Sequence, residues 1–206
     1  YRVYVLASYP ILGAALAEFI NLKIDTLMLG NIRGYSELGF YTASYTVYMG
    51  FTLIALALTK VFSPVFIRLI KNDKPKARSF FLKYLWSNLM YSGVVVLFLF
   101  VFSENVIQIL YGDDYELSGS ILMYLAFALP FINLNRLTNY SIIAAGGQTS
   151  YFYYTVIGSL INVGINLWLI PIYGALGAVI ATIVTEAIVL VFGFRFLIRF
   201  FSETSR

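Results

Sequence analysis

The stretch ALGAVIATIVTEAIVLVFGFRFL, residues 175–197, decides the fold class. Its 23 residues hold two charges, Glu186 and Arg195. An apolar segment of about 20 residues, coiled as a helix, matches the hydrocarbon thickness of a bilayer. A helix that is apolar all round has no water-facing side. Gly174, Gly177, Ala178, Ala181 and Thr185 give it a small-residue face, a seam along which another helix packs closely.

Working outward, the same pattern repeats. Residues 151–170 form a second apolar span, with Gly158, Asn162 and Asn166 in an i, i+4 row that also reads as a packing seam. Pro171-Ile172-Tyr173-Gly174 is expected to turn the chain between the two. Residues 117–145 form a span interrupted by Pro130 and by the polar run Asn133-Leu134-Asn135-Arg136, and the turn Gly146-Gly147-Gln148-Thr149-Ser150 follows it. Further spans cover about 79–102, 38–70 and 3–29. Ser63-Pro64 is expected to kink the long 38–70 helix or to end its membrane part. The expected fold is an all-α membrane protein in which residues 1–206 form a single bundle of about six transmembrane helices.

Composition agrees. Hydrophobic residues make up 60% of the 206, charged residues 12%, and the mean hydropathy is +0.82. Soluble domains carry about twice that share of charge, so lipid is the solvent that this surface tolerates. The absence of Cys and His excludes disulfides, thiolate nucleophiles, a Ser-His triad and the ordinary zinc sites. The net charge of +4 sits beside apolar spans, which points to membrane orientation rather than to nucleic acid. The chain begins at Tyr1 without a charged n-region, and its first span starts almost at once, so a piece of a longer chain is expected.

Lys and Arg in short loops set the orientation. Arg68, Lys71, Lys74, Lys76, Arg78 and Lys83 are opposed only by Asp73, which assigns the 68–83 connection to the cytoplasm. Alternation then puts the acidic 103–116 connection outside and both termini inside, in agreement with Arg195, Arg199 and Arg206 near the C-terminal end.

A charge near the bilayer centre costs roughly 2.5–3.5 kcal/mol on insertion scales, so each needs a reason. Glu18, Asn21 and Asp25 share one stripe of the first span. Glu186 sits near the middle of the last span. These three acids are candidates for taking a coupling proton or sodium ion, against the plainer reading of hydrogen bonds to a neighbouring helix. Counting from the cytoplasmic ends places Lys60 and Arg136 at similar depth, with Asn133 and Asn139 flanking Arg136 at i−3 and i+3. Two cations at one level fit an anionic headgroup such as a pyrophosphate. The alternative is that Lys60 snorkels and Arg136 pairs with Glu18 or Glu186. Lys60, Arg136, Asn133 and Asn139 are therefore the candidate substrate-binding residues.

Chemistry-bearing motifs are missing. There is no phosphate-cradling Gly-rich loop, no Gly-x-Ser-x-Gly elbow and no His-Glu-x-x-His. Asp113, Asp114 and Glu116 read as a solvated outer segment rather than a metal site. No enzyme activity, cofactor or metal is expected.

Three stretches carry a resemblance. The first is Ile24-Asp25-Thr26-Leu27-Met28-Leu29-Gly30 with Leu38-Gly39-Phe40-Tyr41-Thr42-Ala43-Ser44-Tyr45. The second is Phe62-Ser63-Pro64-Val65-Phe66. The third runs from Ile170-Pro171-Ile172-Tyr173-Gly174 through Ala175-Leu176-Gly177-Ala178-Val179-Ile180-Ala181-Thr182, after Asn162 and Asn166. In order and spacing they resemble the polysaccharide flippases of the multidrug/oligosaccharidyl-lipid/polysaccharide exporter superfamily.

That resemblance implies two six-helix bundles facing each other across a central cavity, with this chain as the C-terminal one and the N-terminal bundle as its partner. It further implies transport of an undecaprenyl-pyrophosphate-linked oligosaccharide across the bacterial inner membrane by alternating access. The alternatives are a small-molecule antiporter of the same superfamily, a membrane-embedded glycan polymerase or ligase, and a non-transporting scaffold for glycan assembly. Cations lining a cavity favour the flippase, and a cluster of Glu18, Asp25 and Glu186 favours the antiporter.

Overall fold

The computed structural model describes the backbone of residues 2–202 and the side chains from residue 9 onward; Arg206 lies outside the described residues. Seven helices follow in order: α1 (Arg2–Arg33), α2 (Tyr35–Asn72), α3 (Lys74–Tyr111), α4 (Glu116–Ala126), α5 (Leu129–Ala144), α6 (Gln148–Tyr173) and α7 (Ala175–Ser202). A single 3-10 turn, Asp113–Tyr115, precedes α4, and the described residues contain no strand.

Four of these, α2, α3, α6 and α7, are long and apolar enough to cross a membrane. The 3-10 turn with α4 and then α5 makes a fifth such segment, bent by 47° at the break before Pro130. α1 is as long as these but carries Glu18, Lys23 and Asp25 within one short stretch.

The surface confirms lipid as the solvent. Trp86, Met90, Val94, Leu97 and Val101 recur every three or four residues along α3, each 63% to 69% exposed. In water such a stripe would be a large uncovered apolar patch.

Helices extend further than the sequence expectation. The 68–83 connection is helical apart from Asp73, and α3 runs on through the 103–111 segment expected to be a loop. Its buried row Asn88, Ser92, Val95, Leu99, Ser103, Ile107 keeps helical spacing across the polar Ser103-Glu104-Asn105. α2 and α3 each have 38 residues, so each is about 57 Å long, well beyond the roughly 30 Å of hydrocarbon. Pro64 lies inside α2 without ending it, and Pro171 lies within the last turn of α6, leaving Gly174 to reverse the chain.

The turns are specified by side chains. Asp73 caps α3 by accepting from the Lys76 backbone N–H at 3.0 Å, with Pro75 in the first turn. The Lys76 ammonium, 2.8 Å away, holds the Asp73 carboxyl below the usual carboxylate range. At the other end, Gly174 adopts φ +58 and its missing side chain leaves room for Glu37. Glu37 Oε1 accepts the Ala175 N–H at 2.8 Å, at the start of α7, while its Oε2 accepts from Arg33 Nε at 2.9 Å. One carboxylate thus ties the ends of α1 and α2 to the N-terminus of α7, where negative charge is favoured.

The core has two apolar storeys. One gathers Leu29, Tyr41, Tyr48, Leu99, Ile107, Leu122, Leu125, Leu129 and Ile170. The other gathers Phe62, Phe66, Phe81, Leu137, Ile142, Leu190 and Leu197. Lys74 lies over the Phe200 ring at 4.8 Å, which sets the start of α3 beside the end of α7 at the basic end of the molecule. Between the storeys lies a polar layer containing buried Thr52, Asn88, Ser92, Asn133, Asn135, Ser159, Asn162 and Asn166.

Candidate functional site

The polar layer opens into a cavity of about 140 Å³ lined by Glu18 and Asn21 of α1, Asn135, Arg136 and Asn139 of α5, Ser159 of α6 and Glu186 of α7. α1 reaches it because Ser159 Oγ donates to the Ala17 carbonyl at 2.9 Å, pinning α1 to α6. About two turns earlier on α6, Tyr151 Oη donates to Glu18 Oε1 at 2.7 Å. Glu18 is itself exposed, so the cavity opens at the bundle surface beside α1.

Arg136 is half-buried, and its Nη1 donates to the Thr52 carbonyl of α2 at 2.9 Å. Among the described residues the ion pairs are Arg33–Glu37 and Lys76–Asp73. No carboxylate therefore pairs directly with Arg136, and four of its five N–H donors have no protein partner in the described structure. Glu186 is held from across the cavity: Asn135 Nδ2 donates both to its Oε2 at 2.6 Å and to its backbone carbonyl at 2.8 Å.

A second, narrower cavity of about 20 Å³ is lined by Asp25, Tyr45, Tyr48, Asn162, Thr182 and again Asn21 and Glu186. Asp25 is buried, accepting from Tyr41 Oη and from the Thr26 N–H at 2.7 Å. Asn166 Nδ2 donates to Asn162 Oδ1 at 2.8 Å, and Asn162 Nδ2 donates to Thr185 Oγ1 at 3.4 Å. The buried amide oxygens of Asn21, Asn135 and Asn166 have no hydrogen-bond donor. The described residues contain no group of three Asp or Glu placed to share one metal ion. The acids instead divide between cavities, Glu18 with Glu186 in the larger and Asp25 with Glu186 in the narrower.

The structure thus brings together Arg136, Asn139, Glu18 and Glu186, with Asp25 in the adjoining space. It does not bring Lys60 to them. Lys60 is exposed on α2 and lines neither cavity, because the inward stripe of α2 runs Thr52, Ala55, Thr59, Phe62, Phe66. Lys60 is also eight residues beyond Thr52, so its backbone lies about 12 Å further along the α2 axis than the residue whose carbonyl holds Arg136. Asn133 is fully buried and donates to Ser92 Oγ on α3 at 3.0 Å, away from the cavity. Asn135 takes the place expected of it.

At roughly 100° per residue the cavity side of α5, Ile132, Asn135, Arg136 and Asn139, lies on the Asn139 flank of Arg136, with Asn133 on the opposite flank. Spacings of i−3 and i+3 are symmetric about Arg136 and do not choose between flanks. Tyr151 was missed as well, since an aromatic near a span end reads as an interface anchor.

Comparison with known proteins gives a consistent result. The model of a family described as polysaccharide biosynthesis protein matches residues 2–119. The capsular polysaccharide biosynthesis protein CapF of Staphylococcus aureus is 26% identical over 207 residues, covering 97% of this chain and 50% of that protein. A multidrug resistance MATE family transporter in an outward-facing conformation superposes with a TM-score of 0.83 at 20% identity, over 94% of this chain and 44% of that one. The lipid II flippase MurJ in an inward closed conformation gives a TM-score of 0.76 at 20% identity, over 91% and 42%. The chain spans half or less of the length of the curated relatives it matches.

Proposed function

The chain belongs to the polysaccharide biosynthesis protein family, and on that premise we propose that it is one six-span bundle of a flippase for a lipid-linked oligosaccharide. α1 and the bent α4–α5 segment count as spans, and an N-terminal bundle of the same protein completes the transporter. The substrate is an oligosaccharide on an undecaprenyl-pyrophosphate carrier, and the membrane is the bacterial inner membrane.

The observation that carries the reading is Arg136, a guanidinium with one backbone partner and no ion pair, lining a cavity open to the bundle surface. A cation held this way is available to an anionic headgroup. Asn139, on the same wall, offers an amide. Lys60 and Asn133 fit only looser roles: Lys60 an approach charge on the exposed face, Asn133 a support for α5 through Ser92.

The carboxylates serve coupling. The narrow cavity has room for about one water-sized occupant, and Asp25, Glu186, Asn162, Thr182 and the tyrosines surround it with oxygen donors, the set a proton or a small hard cation prefers. Rocking of the two bundles then exchanges access between the membrane faces.

The same acids favour a second reading, a small-molecule antiporter. One experiment separates the two. Depleting the complete protein leaves the lipid-linked oligosaccharide in the inner leaflet and removes surface glycan if it is the flippase. Normal glycan with raised drug sensitivity would establish the antiporter instead.

The basic end formed by the α2–α3 turn and the C-terminal end of α7 supports a cytoplasmic position for both termini. In intact cells a cysteine at Lys74→Cys is then shielded from an impermeant thiol reagent, and one at Asp113→Cys is labelled. The reverse pattern would invert the orientation.

A further inference from the structure

A groove of about 540 Å³ lies at the basic end, separate from both polar cavities. Its walls are Ser150 and Tyr154 of α6 and Phe192, Arg195, Phe196, Arg199 and Phe200 of α7. Two turns of α7 build it: Phe192, Phe196 and Phe200 form one i, i+4 stripe, and Arg195 and Arg199 form another beside it. Tyr154 stacks on Phe192 with ring centroids 5.7 Å apart, closing the inner end of the groove.

The opposite end is shaped by the Gly146-Gly147 turn. A side chain at Gly147 would run into the Phe196 ring and into Ile142 at 2.8 Å, so glycine lets α7 press against the start of α6. That start is a second source of positive potential. The first N–H groups of α6, around Ser150, have no intrahelical acceptor and face the end that carries the two guanidiniums. Arg195 and Arg199 are exposed and form no ion pair among the described residues. Snorkelling alone accounts for their charge being at a helix end, but not for a cleft with hydroxyls on its facing wall.

We propose that this groove binds the phosphate headgroup of an anionic phospholipid from the adjacent leaflet. The guanidiniums supply charge-assisted, fork-shaped donors, Ser150 and Tyr154 supply hydroxyls, and the aromatic stripe covers the glycerol backbone. Exposed Ile157 and Leu160 on α6, and Val184 and Val191 on α7, continue from it towards the membrane centre as a path for acyl chains. The occupant is a phospholipid rather than a soluble phosphate because the groove is half aromatic and ends on a lipid-facing surface. The site shares no lining residue with either polar cavity and is independent of what the transporter carries.

Native mass spectrometry of the complete protein tests it, after extraction from bilayers of equal phosphatidylglycerol and phosphatidylcholine. The wild type retains phosphatidylglycerol preferentially, and Arg195→Gln/Arg199→Gln lowers that retention about thirtyfold. Equal retention of the two lipids by the wild type overturns the site without recourse to any variant. So does unchanged preference in the double variant. Adding inorganic phosphate alone leaves the lipid bound; its displacement by phosphate would overturn the lipid assignment in favour of a soluble anion.

Discussion

Arg136→Ala in the complete protein removes surface polysaccharide while leaving expression normal, a loss of about 30- to 5000-fold. The range is that for deleting one partner of a largely desolvated charged contact, about 2–5 kcal/mol. The side chain has only one hydrogen bond to the protein, to the Thr52 carbonyl at 2.9 Å, so the fold loses little while the cavity loses its cation. With Arg136 gone the charged lining is Glu18 and Glu186, which repel an anionic headgroup. Arg136→Lys restores charge without the planar fork and recovers only part of the activity. Quantitative immunoblotting of surface glycan against membrane expression is the measurement. Normal glycan in Arg136→Ala would remove this residue from substrate binding.

Glu186→Gln separates transport from stability. The amide keeps the size of the side chain and an oxygen for Asn135 Nδ2, which now sits 2.6 Å from Glu186 Oε2, so the bundle remains folded. The charge shared by the two cavities disappears, and ion-driven transport in proteoliposomes falls by about 100-fold, in line with the loss of an essential proton- or cation-binding group. Glu186→Leu does more, because it removes one of the two acceptors of Asn135 Nδ2 and leaves only the residue-186 backbone carbonyl, at a cost of about 0.5–1.5 kcal/mol. Transport by Glu186→Gln with unaltered rate and ion dependence would place coupling elsewhere, at Asp25 or outside this bundle.

Much of the architecture is legible from apolar run length, which is why the helical membrane class and the break before Pro130 follow from sequence. Helix ends are less legible. Ser103-Glu104-Asn105 looks like a loop by polarity, yet the buried row of α3 passes through Ser103 to Ile107 because a helix leaving the bilayer can place Glu104 in water without breaking. Pro171 misleads for a related reason. It falls in a last turn, where Gly174 can make the reversal that a proline cannot.

The site was legible in kind and less so in detail. Intramembrane Glu18, Asp25, Arg136 and Glu186 stand out because charge there is costly, and these four line the polar cavities. Lys60 stands out for the same reason, but sequence alone does not give the rotation of α2 about its axis, and one residue from Thr59 to Lys60 turns from core to surface. Asn135 and Tyr151 act by holding carboxylates that belong to other helices, which is information in the packing and not in either segment.

The excess length of α2 and α3 has a mechanical side. Each helix is about 57 Å long, and Asp73 joins them into a stiff double rod locked by its cap. Pivoting about its middle, such a rod acts as a lever: a tilt of about 10° swings its Asp73 tip by about 5 Å. Small rearrangements in the polar layer are thereby magnified at the Asp73 end, where a fixed probe registers them most strongly.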